Sequence, residues 1–159
     1  MKIKPLTLGI ALGTVLITSP VSASSGEDQH FAGVFFGATS LDSNTDFSYG
    51  LEYEYMFSKR WGVGAVYERT DNAHQGDGTE VLLASAYIHP YQKFKLLRIG
   101  VGFGQEKIGG SSSHTENISR VSISIDYHVA GFYVVPTLAA DFVDGDTATV
   151  FGVAFMKSF

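Results

Sequence analysis

Hydrophobic and polar residues alternate along most of the chain after residue 30. The pattern is clearest between Asp46 and Phe57, where large apolar and aromatic residues hold the odd positions and mostly small or charged residues hold the even ones. A β-strand separates two such sets onto opposite faces, whereas a helix would scatter both around its circumference. The pattern therefore predicts strands with one apolar and one polar face.

Eight segments have the length and pattern of strands. Five of them alternate clearly, and three are apolar on both faces, so the sequence leaves the facing of those three open. The clearly alternating strands are predicted at Asp46–Phe57, Trp61–Thr70, Phe94–Lys107, Ile118–Val129 and Ala148–Phe159. The strands of open facing are predicted at His30–Ser40, Glu80–Pro90 and Phe132–Phe142.

The links between these strands indicate their arrangement. By the predicted boundaries, short links at the second, fourth and sixth positions alternate with longer ones. Outer-membrane barrels combine short periplasmic turns, longer external loops and an even number of strands, with an apolar outer wall and a polar interior. Here charges share one face with glycines, and aromatic residues hold the other. The predicted fold is all-β, an eight-stranded antiparallel up-and-down transmembrane β-barrel.

Charged residues divide between the two ends of this barrel. The end with the longer links holds most of the acids, with Arg69 and Lys107 as nearby cations. These acids are Asp42, Asp46, Asp71, Asp77, Glu80, Glu116, Asp141, Asp144 and Asp146. The opposite end carries Lys59, Arg60, Lys93, Lys95 and Lys157. This polarity favours an orientation with both chain termini in the periplasm.

The first residues have the pattern of a secretory signal. Lys2 and Lys4 precede an apolar run over Leu6–Thr18, which is too short for a membrane-spanning helix. Pro20 then ends the run, and small residues follow up to Ala23. We predict a signal peptide over residues 1–23 and a barrel domain over residues 24–159. A short membrane anchor is the alternative interpretation.

Composition excludes several other classes of protein. The chain has 45% hydrophobic and 17% charged residues, no cysteine, and a formal net charge of −5. Without cysteine it has no disulfide, no thiol chemistry and no lipoprotein anchor. An acidic chain is a poor ligand for nucleic acid, so we expect no nucleic-acid partner.

The C-terminal strand carries a family resemblance. Apolar residues alternate back from Phe159 through Thr149–Phe159, and Tyr49–Glu68 and Asp141–Ala148 show further similarity. These segments resemble the small eight-stranded outer-membrane barrels of the OmpA/OmpX type. The resemblance implies that the barrel-assembly machinery reads Phe159 and its strand, although Lys157 departs from the usual apolar residue. We expect a bacterial outer-membrane location, contacts with outer-membrane lipid and lipopolysaccharide, and a monomer.

Charged residues on the polar faces are predicted to fill the lumen. By strand direction the periplasmic half receives Glu52, Glu54, Arg98, Asp126 and His128, and the outer half receives Glu68, Glu106, Arg120 and Asp141. Eight strands leave an interior just wide enough for side chains, and a buried charge is costly unless it is paired. This favours a plug of salt bridges over a gate or proton path.

Two pairings follow from the predicted hairpins. A loop centred near Ser112 places Arg98 about opposite Asp126, so we predict that these two side chains pair. Arg120 is predicted to pair with Glu106 or Asp141 in the outer half. Removing one member of a buried pair leaves the other charge unpaired, which is strongly destabilising.

Catalytic and metal sites have little support in the sequence. Neither His89 nor His128 belongs to the His-x-Ser pair expected of a barrel lipid A deacylase, and His114 lies in a loop without a fixed acid. Asp144-Gly145-Asp146 lacks the spacing of a calcium loop. We therefore expect a non-catalytic protein of structural or surface-interaction type, without a cofactor. A small-solute channel or transporter and a lipid-modifying enzyme are the alternatives.

The signal-peptide assignment predicts the mature N-terminus. Protein extracted from membranes should begin at Ser24, because Val21-Ser22-Ala23 supplies the small residues that signal peptidase reads. Intact-mass analysis measures this directly. A chain that retains Met1 would contradict the assignment.

Overall fold

A computed structural model describes residues 29–41, 44–71, 78–90, 97–110 and 113–159. The predicted signal peptide, the cleavage site at Ala23 and Ser24, and the predicted rim residues Asp42, Asp77, Lys93 and Lys95 lie outside the described residues. Within the described ranges, no helix is long and apolar enough to cross a membrane.

The described residues form nine strands in a single antiparallel sheet. They are β1 His30–Leu41, β2 Asn44–Met56, β3 Trp61–Thr70, β4 Thr79–Ile88, β5 Leu97–Ile108, β6 His114–Ile125, β7 Tyr127–Val129, β8 Phe132–Val143 and β9 Asp146–Ser158. From β1 to β6, each strand pairs with the next one along the chain. β1 also pairs with β9, and β6 pairs with β8. The sheet therefore closes into an up-and-down barrel.

β6 and β7 are two segments of one barrel strand, interrupted at Asp126. Both pair with β8 in the same register, Ser124 opposite Thr137 and Tyr127 opposite Val134. The break lies beside Pro136, whose nitrogen carries no hydrogen and so cannot donate to the ladder. The barrel thus has eight strands, which confirms the predicted fold.

The predicted alternation of link lengths is wrong. The link between β8 and β9 has only two residues, Asp144 and Gly145, as does the link Ala130–Gly131 at the other end. All four have positive φ, between 43° and 94°, as in tight two-residue hairpin turns. Residues 89–96, between β4 and β5, are as numerous as residues 71–78. Strands extend further towards the turns than the hydrophobic pattern shows, because polar turn-flanking residues also pair.

The structure also fixes the facing of the three strands that the sequence left open. Phe35 of β1, Leu83 of β4 and Val135 of β8 are buried in the lumen. Their outward neighbours are also apolar and are exposed, among them Phe36, Leu82, Leu138 and Phe142. These strands are apolar on both faces because one face contacts the interior and the other forms the outer wall.

The seam between β1 and β9 depends on two glycines. Gly37 lies opposite Gly152, and a Cβ atom on either one would lie 2.6 Å from Cζ of Phe35. It would also lie 2.3–2.4 Å from a backbone carbonyl oxygen of the neighbouring strand. The absence of side chains here lets the Phe35 ring lie across the seam inside the barrel.

Arginine substitutions test the facing of the outer wall. Val121 is 51% exposed near the middle of β6, and Thr115 is exposed at the outer end of the same face. In lipid bilayers Val121→Arg should cost about 2–4 kcal/mol of folding free energy, and Thr115→Arg about 0–1 kcal/mol, because the penalty falls towards the interface. Urea unfolding from liposomes measures both, and equal costs would contradict a lipid-facing wall.

Candidate functional site

The lumen contains two layers of buried charge, and the first lies in the half that the sequence predicts to face the periplasm, which we call the periplasmic half. Arg98 of β5 is 3% exposed and donates hydrogen bonds to Glu52 and Glu54 of β2, both at 3.2 Å. A further bond of 3.4 Å reaches Ser124 of β6. The Tyr87 ring lies under the guanidinium, with 4.9 Å between Cζ and the ring centroid. Arg98 therefore ties together strands on different sides of the barrel.

His89 and Asp126 complete this periplasmic layer. His89 follows β4 and is buried, with its Nε2 atom 2.8 Å from Oε1 of Glu54. Its Nδ1 atom lies 3.7 Å from Oδ2 of Asp126. The periplasmic layer thus consists of Arg98, His89, Glu52, Glu54 and Asp126.

The second layer lies in the outer half and is centred on Arg120 of β6. Its Nε and Nη2 atoms donate to the two carboxylate oxygens of Asp141, at 2.6 and 2.7 Å. Its Nη1 atom bonds Glu68 of β3. All three side chains are buried. This bidentate geometry is the strong form of an arginine–carboxylate contact, and we call the three residues the outer layer.

Apolar side chains fill the rest of the interior. One cluster is built from β1, β8 and β9, and the other from β3, β4 and β6. The first contains Phe35, Val135, Ala139, Val150, Ala154 and Met156, and the second contains Val66, Val81, Leu83 and Ile118. Most of these residues lie on the face that also carries the charges, so the lumen is not uniformly polar. Burial beside them removes most of the arginine surface from water, so each guanidinium needs polar partners within the lumen.

The predicted pair of Arg98 and Asp126 is not observed. The hairpin between β5 and β6 sets Arg98 opposite Ser124, two residues from the expected partner. Arg98 instead reaches across the lumen to β2, and Asp126 lies beside His89. Hairpin register shows only which residues are neighbours in the wall, so it could not reveal a partner across the lumen.

Three other predicted site residues lie towards the two ends of the barrel. Glu106 lines a cavity above the outer layer, and His128 is exposed at the periplasmic mouth, 5.0 Å from Tyr133 between ring centroids. Phe159 is exposed, and its backbone N–H donates to the carbonyl of His30 at 2.9 Å.

Sequence reasoning missed His89 as a lumen residue. Its strand is apolar on both faces, so its side chain could not be assigned to the interior. His89 lies an even number of residues after Leu83 and Tyr87, and in a strand this spacing places all three side chains on the same face. To assign that face to the lumen, at least one of its residues must be known to be buried, and only the structure shows this.

Each end of the lumen opens into a small cavity. The outer one, of about 200 Å³, is the vestibule, and it has Arg120, Glu68 and Asp141 in its floor. Hydroxyl groups of Thr39, Ser48 and Thr70 form a hydrogen-bonded chain near its wall, at 2.7 and 2.8 Å. The periplasmic cavity, of about 30 Å³, ends at Arg98, Glu54 and His89. The two charged layers thus separate the cavities.

The described residues give no support to a metal centre or a catalytic group. Among them, no cluster of three or more His, Cys, Asp or Glu side chains is arranged to hold a metal ion. The ring nitrogens of His89 face carboxylates rather than a hydroxyl nucleophile. His114 is exposed, 3.0 Å from Glu116.

Comparison with known proteins shows which solved structures share this architecture. No protein-family model and no curated protein matches the chain. The crystal structure of Neisserial surface protein A is similar at 13% identity and a TM-score of 0.61, covering 82% of this chain and 96% of that one. This chain has the fold of the eight-stranded outer-membrane barrels.

Two further structures share that fold. The N-terminal β-barrel domain of Pseudomonas aeruginosa OprF matches at 14% identity and a TM-score of 0.59, over 82% of this chain and 99% of that one. The attachment invasion locus protein Ail of Yersinia pestis matches at 14% identity and a TM-score of 0.50, over 82% and 97%. At this identity the likeness establishes architecture, and the lumen must be interpreted from its own residues.

Breaking the outer layer should destabilise the barrel. Arg120→Met leaves Glu68 and Asp141 buried without their cation, and we expect a loss of about 3–5 kcal/mol. The triple variant Arg120→Met, Glu68→Gln, Asp141→Asn removes every charge and should recover most of that loss. Unfolding by urea in liposomes gives both values. A triple variant as unstable as the single one would contradict the pairing.

Proposed function

We propose that this protein is an integral outer-membrane barrel of structural or surface-interaction type, sealed along its axis and without catalytic activity. The observation that carries the proposal is the combination of an apolar outer wall with two charged layers across the lumen. The wall exposes Phe36, Leu51, Phe103, Val121 and Phe151 at mid-strand positions. Such a surface is unfavourable in water and favourable in lipid.

The charged layers support a sealed lumen. Opening a path would separate Arg120 from Asp141 and Arg98 from Glu54, both buried contacts. Separating a buried ion pair without replacing its partners is costly. The structural role therefore fits the interior better than ion or solute transport does.

The outer rim supports a role in surface contacts. Asp71, Glu80, Asp144 and Asp146 lie at this end, with Arg69 bonded to Asp71 and Glu80 at 3.0 Å. We propose that this rim meets external partners and that the apolar wall below it contacts the lipid portion of lipopolysaccharide. The C-terminal strand would engage the barrel-assembly machinery through Phe159, and the barrel would function as a monomer.

The vestibule favours transport as the second candidate function. It provides an entrance of about 200 Å³ at the outer end, although the outer layer forms its floor. A lipid-modifying enzyme has no corresponding site among the described residues. Mass spectrometry of lipid A from cells with and without the protein tests that third possibility, and a new acylation state would contradict the non-catalytic assignment.

Electrical recording tests the sealed lumen. The unmodified protein in planar bilayers should show conductance at background, because the Arg98 and Arg120 layers block the axis. The double variant Arg98→Ala, Arg120→Ala removes both cations and should raise the conductance, provided that circular dichroism still shows a folded barrel. A steady current through the unmodified protein would favour transport instead.

A further inference from the structure

The outer layer carries more negative than positive charge. Its guanidinium, on Arg120, is shared between the carboxylates of Asp141 and Glu68, and all three side chains are buried. One negative charge of this layer therefore has no counterpart within it. A buried charge that is not balanced is costly, so the excess calls for a positive partner.

Two polar atoms in the floor of the vestibule lack a hydrogen-bond partner. Arg120 bonds Oε2 of Glu68 and leaves Oε1 of the same carboxylate unused. Thr79 is a diagonal neighbour of Glu68, because it lies opposite Thr70, two residues further along β3. Among the residues that the structure describes, none is hydrogen-bonded to Glu68 Oε1 or to the Thr79 hydroxyl. Glu68 is only 4% exposed and Thr79 only 3%, and both line the vestibule, so a ligand would reach these atoms from there. We call the two atoms the floor acceptors.

Further carboxylates continue from the floor along one wall of the vestibule. Glu68 lies opposite Val81, Val81 opposite Glu106, and Glu106 opposite Glu116, so one row across β3 to β6 contains three acids. All of them line the vestibule. Glu106 and Glu116 face each other directly on neighbouring strands, and like charges in that position are destabilising. Oε1 of Glu116 also lies 3.0 Å from the exposed His114 ring. A cation between the two glutamates would offset their repulsion.

The spacing of these acids favours an organic cation over a metal ion. In the described ranges, no three acids are arranged around a point where they could hold a metal. Glu68 and Glu106 lie two strands apart, about 10 Å along the wall. The vestibule, of about 200 Å³, has room for about seven water-sized groups. A short linear diamine has this size and carries its two positive charges at separate ends.

We propose that the vestibule binds a short aliphatic diamine, with one ammonium on the floor acceptors and the other between Glu106 and Glu116. This site goes beyond the structural role proposed above and needs no open lumen. An ammonium group has three donors and no acceptor, which suits the Glu68 carboxylate and the Thr79 hydroxyl oxygen. The first ammonium balances the excess charge of the outer layer, and the second separates the two opposed glutamates.

Titration calorimetry measures this binding directly on the full mature protein folded in an uncharged detergent. Putrescine is the diamine, butylamine is the matched monoamine, and butanediol is the matched uncharged compound. Putrescine should bind saturably at low ionic strength. Butylamine should bind about tenfold more weakly because it lacks the second charged contact, and butanediol should not bind. Titration into empty micelles corrects for association with detergent. No saturable binding of putrescine, or equal affinities for the two amines, would overturn the proposal.

Matched variants separate the two ends of the site. Glu68→Gln removes the charge of the floor acceptors and should weaken both amines about tenfold. Thr79→Val removes the hydroxyl at nearly constant volume and should also weaken both, whereas Thr79→Ser should restore them. Glu116→Gln should lower the affinity for putrescine and leave that for butylamine unchanged. Asp71→Asn removes an acid at the same end of the barrel that is bonded to Arg69 and does not line the vestibule, so neither affinity should change.

The same titrations distinguish a diamine from other ways of balancing the charge. If a proton on Glu68 neutralises the outer layer, Glu68→Gln should bind putrescine as well as the unmodified protein does, and this result overturns the proposal. A loss in Asp71→Asn as large as that in Glu68→Gln would show general attraction to the acidic rim, which also overturns it. Heat-modifiable migration in gels checks the folding of each variant. Thr79→Val keeps every charge of the floor, so unchanged affinities in this variant overturn the floor contact even if Glu68→Gln does not fold.

Discussion

The hydrocarbon interior of a membrane offers no hydrogen-bond partner, and this constraint governs the whole structure. A sheet in that environment can leave no open edge, so β1 must pair with β9 and close the barrel. For the same reason, charged side chains within the span must turn inward, where their charged partners are each other. Closure of the wall and pairing in the lumen are two results of one requirement.

The two arginines meet this requirement in similar ways. Each contributes a planar group with several donors, and each is shared between two carboxylates, which belong to different strands for Arg120 and to β2 alone for Arg98. Arg120 is held by Asp141 and Glu68, and Arg98 by Glu52 and Glu54. A lysine in either place would offer a point charge instead of a fork and would not reproduce the bidentate contact with Asp141. The geometry thus depends on the shape of the cation as well as on its charge.

The facing of residues in the wall was largely predictable from the sequence because apolar and polar residues alternate there with a period of two. Alternation in Asp46–Phe57 sufficed to assign Glu52 and Glu54 to one face and Tyr53 to the other, as the structure shows. The lumen was less predictable. A partner across the interior, such as Glu54 for Arg98, depends on barrel curvature and side-chain reach, neither of which appears in the hydrophobic pattern.

The turns were also hard to predict, for a local reason. Asp144 and Gly145 can form either a tight turn or part of a longer loop, and the choice depends on whether the flanking residues pair. Val143 and Asp146 do pair. That pairing follows from the register of the whole β8–β9 hairpin rather than from the residues near the turn.

The charged layers join positions that are distant along the chain. Arg98 meets Glu52 46 residues away, and Arg120 meets Glu68 52 residues away. A partly inserted sheet would therefore hold arginines with no carboxylate within reach, in surroundings where an unpaired charge is unfavourable. Intermediates of that kind are penalised relative to both the unfolded chain and the finished barrel. The interior of this protein thus makes its folding cooperative, with the wall and the lumen forming together or not at all.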